Sequence, residues 1–205
     1  MMKKWKIFLT GCVVAVLTAG CGASLAPQLY SLNPVAKPAG PAMNISVTVG
    51  PVSVPDAVDR PQLVLNIAPN QLRVDEFNRW SAPLKGDIAR VVAENLAVLL
   101  GSPYVAVFPR TVSLSPAYRV TIDVVRFESV PGEAVRLNAL WAVRATADGA
   151  VRQGGATLQE PLRGAAPADL VAAHSRMLGV LSGDIAAAIR GLAVTARKEA
   201  PAARQ

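Results

Sequence analysis

The sequence predicts a single α+β domain, an antiparallel or mixed sheet with two helices packed on one face. Three observations lead there: two long segments repeat apolar residues at helical spacing, several runs alternate with a period of two, and strands and helices do not follow in regular β-α-β order. With 205 residues, 52% apolar and 17% charged, the chain can bury a core of its own, which excludes a disordered or fibrous protein.

Residues 1–20 read as an export signal. Lys3, Lys4 and Lys6 precede an apolar run from Ile7 to Leu17, and small residues Thr18-Ala19-Gly20 lead to Cys21. The run is shorter than the roughly 20 residues a lone membrane-spanning helix needs. Small residues directly before a Cys look like a lipobox, where a diacylglycerol group is attached to the thiol before cleavage. Cys12 follows a similar motif, Leu9-Thr10-Gly11, but leaves only Ile7 and Phe8 after Lys6. Cys21 is therefore the expected lipid attachment site, and the mature chain keeps no free thiol. Gly22 after the Cys favours sorting to the outer membrane.

Residues 21–43, rich in Ala, Pro, Gly and Ser, are expected to form a flexible tether with one sticky segment, Leu29-Tyr30-Ser31-Leu32. The folded body then occupies 44–196. Ile45, Val47 and Val49 alternate with Ser46 and Thr48 as in a strand. After Gly50-Pro51 the extended course resumes to Pro55, and Leu63, Leu65 and Ile67 alternate again, so these two runs are expected to pair like a hairpin, with Pro69-Asn70 as the next turn. A helix is expected from Ala82 to Leu100, with Ser81 as its N-cap and Gly101 at its C-terminal cap. Its apolar stripe is Leu84, Ile88, Val91/Val92, Leu96 and Leu99, with Lys85, Asp87, Arg90 and Glu94 on the solvent side.

Residues 104–108 make a short strand before Pro109. From Tyr118 the alternation is strict until its phase changes at Val124-Val125, which predicts a bulge. Val135 to Ala145, the turn Asp148-Gly149 and Val151 to Leu158 complete three antiparallel strands. The second helix begins near Pro167 or Asp169 and reaches about Ala193, striped by Leu170, Met177/Leu178, Leu181, Ile185, Ile189 and Leu192. Residues 197–205 are expected to be a disordered tail.

The formal charge of +7 suggests nucleic acid until it is divided by position. Residues 38–196 hold 14 basic and 13 acidic residues, a net +1, and no Lys/Arg cluster marks a phosphate-tracking face. No nucleic-acid partner is expected. Phosphate loops, dinucleotide fingerprints, zinc-protease motifs and nucleophile elbows are all missing. His174 sits at the border of the second helix's apolar stripe and reads as a satisfied structural residue. No catalytic residue, metal site or cofactor is expected, and the chain is read as a non-enzyme.

Two polar-aromatic clusters stand out: Asp59-Arg60-Pro61-Gln62, and Phe77-Asn78-Arg79-Trp80 just before the first helix. Arg and Trp are favoured interface anchors, yet Trp80 could equally plug the junction between sheet and helix. Asp59, Arg60, Gln62, Arg79 and Trp80 thus form a candidate partner-binding or structural motif. Trp141 is expected in the core.

These clusters carry a resemblance. Val47-Thr48-Val49-Gly50-Pro51-Val52, Asp59-Arg60-Pro61-Gln62-Leu63-Val64, Phe77 through Leu84, Glu94-Asn95-Leu96, Tyr118-Arg119-Val120 and Leu181-Ser182-Gly183-Asp184-Ile185-Ala186 resemble the PqiC family of ABC-transport auxiliary lipoproteins. The resemblance implies an outer-membrane lipoprotein facing the periplasm, in an intermembrane lipid-transport system whose other members carry MCE domains. It also implies an inner-membrane-anchored MCE-domain protein as partner. Lipid cargo and a homo-oligomeric ring matching an MCE ring are further expectations. The alternative function is a periplasmic lipid-binding shuttle holding a ligand between sheet and helices.

Overall fold

The computed structural model describes residues 26–109 and 115–199. Cys21, the export signal and residues 200–205 lie outside them. Eight strands and two helices follow the order β1 (Gln28–Tyr30), β2 (Val47–Ser53), β3 (Gln62–Ala68), β4 (Gln71–Trp80), α1 (Leu84–Leu100), β5 (Val105–Val107), β6 (Tyr118–Val130), β7 (Ala134–Ala145), β8 (Val151–Pro161) and α2 (Pro167–Glu199). The α+β class holds, but the sheet is divided. A five-stranded sheet runs β5-β2-β6-β7-β8 and a three-stranded one runs β1-β4-β3.

Alternation builds the large sheet. In β6, Tyr118, Val120, Ile122 and Val124 are buried while Arg119, Thr121 and Asp123 are exposed, and the expected bulge appears as a register shift between Val124 and Arg126. β6, β7 and β8 are antiparallel neighbours, whereas β2 is parallel to both β5 and β6. α1 packs on β2 and β5 and α2 on β6, β7 and β8, so both helices lie on one face. Between them and the sheet, Ile88, Val92, Leu96, Leu181 and Ile185 are completely buried. α2 is long and apolar enough to cross a membrane by length and composition, but its apolar stripe is this core. It also runs six residues past Ala193, through three of the residues assigned to the tail.

The expected pairing of β2 with β3 does not occur. Both flanks of β2 are taken by β5 and β6, and β3 pairs instead with β4. The turn at Pro69-Asn70 is where the sequence placed it, with Asn70 at φ 63°, but β4 itself went unread. Its residues Gln71, Arg73, Asp75, Glu76, Asn78 and Arg79 are polar, and it carries no clean alternation to signal a strand.

α1 begins after Pro83, which occupies the N-cap position without a side-chain cap, rather than after Ser81. Its other end behaves as expected: Gly101 is left-handed at φ 59° and its N–H reaches back to the last-turn carbonyls. Gly101 is required for a second reason, since a Cβ there would stand 2.9 Å from Cα of Ala42. The segment before β2 presses directly on this cap.

That segment overturns the expected flexible tether. β1 pairs parallel with β4, Leu32 is fully buried, and residues 32–43 run along α1 bonded at every stage. The Asp87 carboxylate accepts from Leu32 N–H at 2.8 Å, and Ser175 Oγ accepts from Asn33 N–H at 3.1 Å. Asn95 Oδ1 accepts from Val35 and Ala36 N–H, both at 2.9 Å. Arg190 donates to the carbonyls of Ala39, Pro41 and Leu99, and Met43 N–H donates to Leu100 carbonyl. A composition of Pro, Ala and Gly suggests slack only when nothing satisfies the backbone; here side chains of both helices do. Asp87, expected on the solvent side, is only 2% exposed because it receives this strap.

Candidate functional site

The five residues of the candidate motif converge, but not as one exposed surface. Trp80 is 7% exposed. Its backbone N–H donates to Pro61 carbonyl at 2.7 Å, and its ring meets Phe127 edge-on at 6.1 Å. Phe127 in turn stacks on His174 at 3.8 Å. Trp80 thus packs the small sheet against Phe127 of β6 and, through the Phe127–His174 stack, toward α2. Gln62 and Arg79 are cross-strand partners. Gln62 donates to the Glu76 carboxylate and Arg79 to the Glu76 carbonyl. Asp59 pairs with Lys85 at 2.7 Å, which raises the Lys85 ammonium pKa through that hydrogen bond. Arg60 is exposed and makes no ion pair among the described residues.

His174 is fully buried, with Nε2 2.9 Å from Ser129 Oγ. Burial pushes its imidazole down from 6.5 to about 3, so it is uncharged at neutral pH and serves packing. The consequence for stability has a definite sign. Below pH 6.5 the unfolded chain takes up a proton that the folded chain refuses, so this stabilisation is complete above 6.5 and declines as pH falls toward 3. Going from pH 7 to pH 5 is expected to cost the wild type about 2 kcal/mol more than His174→Gln. Urea titrations of both proteins at both pH values check this.

Trp141 is half-buried over Gly154, where a Cβ would stand 2.5 Å from its ring. Among the described residues no three His, Cys, Asp or Glu side chains gather as a metal would require.

The feature that sequence reading missed is an open groove at the β5 edge of the large sheet. It encloses about 510 Å³ and is walled by Pro51, Pro103, Tyr104, Phe108 and Pro109, with Arg119 and Thr121 on its floor. Tyr104 and Phe108 are each about half exposed, at 51% and 49%. Tyr104 and Phe108 bracket a three-residue strand, and nothing in their local pattern separates an exposed aromatic from a core one. The groove includes Pro103 and Tyr104, just past the C-terminal end of α1, whereas the small sheet adjoins its start, where Ser81 N–H donates to the Tyr30 carbonyl of β1. The strap meets Asp87 in the first turn of α1 and Leu100 in the last, and the 17 residues of α1 separate these ends by about 25 Å.

The ABC-type transport auxiliary lipoprotein component family matches residues 28–186. The chain belongs to this family. The match begins at β1 rather than at β2, in agreement with a strap that is part of the fold. Among solved structures, an uncharacterized protein aligns at TM-score 0.65 with 20% identity, covering 80% of this chain and 99% of that one. A Xanthomonas campestris protein aligns at TM-score 0.63 with 18% identity over 77% and 92%. These likenesses support the fold. PelC from Paraburkholderia phytofirmans, solved as a dodecamer, aligns at TM-score 0.40 with 15% identity over 70% and 92%. No curated protein matches the chain significantly in sequence. As a family member, the chain is a transport-associated lipoprotein component.

Proposed function

We propose that this auxiliary lipoprotein is anchored in the outer membrane through acylated Cys21, faces the periplasm, and docks the far end of an inner-membrane-anchored MCE assembly that carries lipid. The observation that carries this reading is the two-ended build of the domain. The chain coming from the anchor enters the fold at β1, beside the first turn of α1, and the aromatic groove includes Pro103 and Tyr104, just past the last turn. A partner spanning the periplasm approaches from the side away from the anchor, where Tyr104 and Phe108 offer half-exposed aromatic surface. Exposed aromatics of this kind make interface anchors because they bring large area with few rotatable bonds. Membership of an ABC-type transport auxiliary family supports the reading, as does Gly22 beside the anchor. A ring of copies facing an MCE ring belongs to the same proposal.

The shuttle alternative requires room for a lipid between sheet and helices. That space is occupied by Ile88, Val92, Leu96, Leu181 and Ile185 at zero exposure, which favours docking over carriage.

A photoreactive phenylalanine placed at position 108 of the full chain is expected to capture an inner-membrane MCE-domain protein in cells. Adducts formed only with unrelated proteins would contradict the docking role.

A further inference from the structure

We infer that the outer face of the small sheet, centred on Leu29 and Phe77, rests on the phospholipid surface that holds the anchor. The inference rests on acylation at Cys21 and adds an orientation to it. Only residues 22–27 separate Cys21 from β1. Even fully extended, the seven steps from Cys21 to Gln28 reach no more than about 25 Å. β1 is not free to swing away, because Leu32, Asn33, Val35 and Ala36 are bonded to Asp87, Ser175 and Asn95. The short link therefore keeps this end of the domain within about 25 Å of the headgroups, and with the small sheet on the surface the groove stands about an α1 length away.

What the small sheet presents there fits a bilayer surface. Leu29, Arg79 and Gln62 are cross-strand partners and share one face, while Tyr30 and Trp80, one residue on, turn to the core. Leu29 is 64% exposed and Phe77 52%. Phe77 stands where β4 leaves register between Asp75 and Arg79, and the Asp75 carboxylate accepts from its N–H. An exposed Leu and Phe beside Arg79, which pairs loosely with Glu76 at 3.8 Å and keeps 39% of its side chain exposed, is the composition of a shallow interfacial contact. Leu29 on the edge strand β1 and Phe77 on the central strand β4 make an exposed apolar patch that invites association unless covered, and the membrane covers it at no added association step.

The test uses the acylated, signal-processed chain, in which an introduced Cys is the one free thiol. Leu29→Cys, Phe77→Cys and Phe108→Cys carry a fluorophore in vesicles of phosphatidylethanolamine and phosphatidylglycerol with nitroxide-headgroup lipid. Quenching at positions 29 and 77 is expected to exceed that at 108 by at least about threefold. Equal quenching at all three positions in protein that floats with the vesicles overturns the orientation while leaving the anchor intact. Crosslinking of positions 29 and 77 to a protein partner, without lipid quenching, overturns it in favour of that partner. Protein that fails to float removes the anchor itself, and this inference with it.

Discussion

Asp87→Ala is expected to loosen the strap and lower the unfolding midpoint by about 5–10 °C. The carboxylate is 2% exposed and accepts from Leu32 N–H and from Arg90, at 2.8 and 2.6 Å. Removing it strands a buried backbone donor, at about 1–3 kcal/mol. The Arg90 ion pair adds little, since Arg90 is 38% exposed and keeps Glu94 at 2.9 Å. A total of about 2–3 kcal/mol follows. Asp87→Asn retains an acceptor and loses less. Hydrogen exchange locates the effect: the amides of Leu32, Asn33, Val35 and Ala36 lose protection in Asp87→Ala before the β6–β7 ladder does. Unchanged protection at these amides would mean that the strap is held without Asp87.

Cys21→Ser is expected to abolish palmitate incorporation, whereas Cys12→Ser leaves it at the wild-type level. Each buried methylene contributes about 0.8 kcal/mol, so a single long acyl chain amounts to on the order of 10 kcal/mol, and several make attachment effectively permanent. Among the described residues α2 is the helix long and apolar enough to cross a membrane, and it spends its apolar stripe on the core. Metabolic labelling with palmitate reads the outcome directly. Label retained in Cys21→Ser and lost in Cys12→Ser would move the anchor to Cys12 and lengthen the link to β1 by nine residues.

Much of this architecture is legible in the sequence because one-sided burial imprints a period on it. β6, β7 and β8 each cover the helices with one face, and their alternation, the bulge at Val124-Val125 and the Asp148-Gly149 turn could all be read. Both helices announced themselves in the same way. β4 was not legible, since a polar strand exposed along most of its length has no apolar phase. The β2–β3 pairing failed because adjacency in sequence says nothing about neighbours that arrive later: β5 and β6 occupy both sides of β2. The strap failed for a different reason. Its own residues look like a linker, and the information that fixes it lies in Asp87, Asn95, Ser175 and Arg190, dispersed over two helices. One signal was available. Asn95 falls between Val91/Val92 and Leu99 on the apolar stripe of α1, and a fully buried amide on such a stripe must find partners.

The candidate motif divides along the same line. That Trp80 and Arg79 matter could be inferred from residue type, but whether they face a partner or the core depends on Phe127 and His174, which no spacing connects to them. Trp80 is buried against Phe127, and the docking surface we propose lies at Tyr104 and Phe108 instead.

Affinity purification of the intact chain from gently solubilised envelopes tests the docking role most directly. An MCE-domain protein of the inner membrane is expected to co-purify, and its recovery is expected to fall about tenfold or more with Tyr104→Asp and Phe108→Asp together. Recovery of no MCE-domain protein, or equal recovery with and without the two aromatics, would contradict docking through the groove.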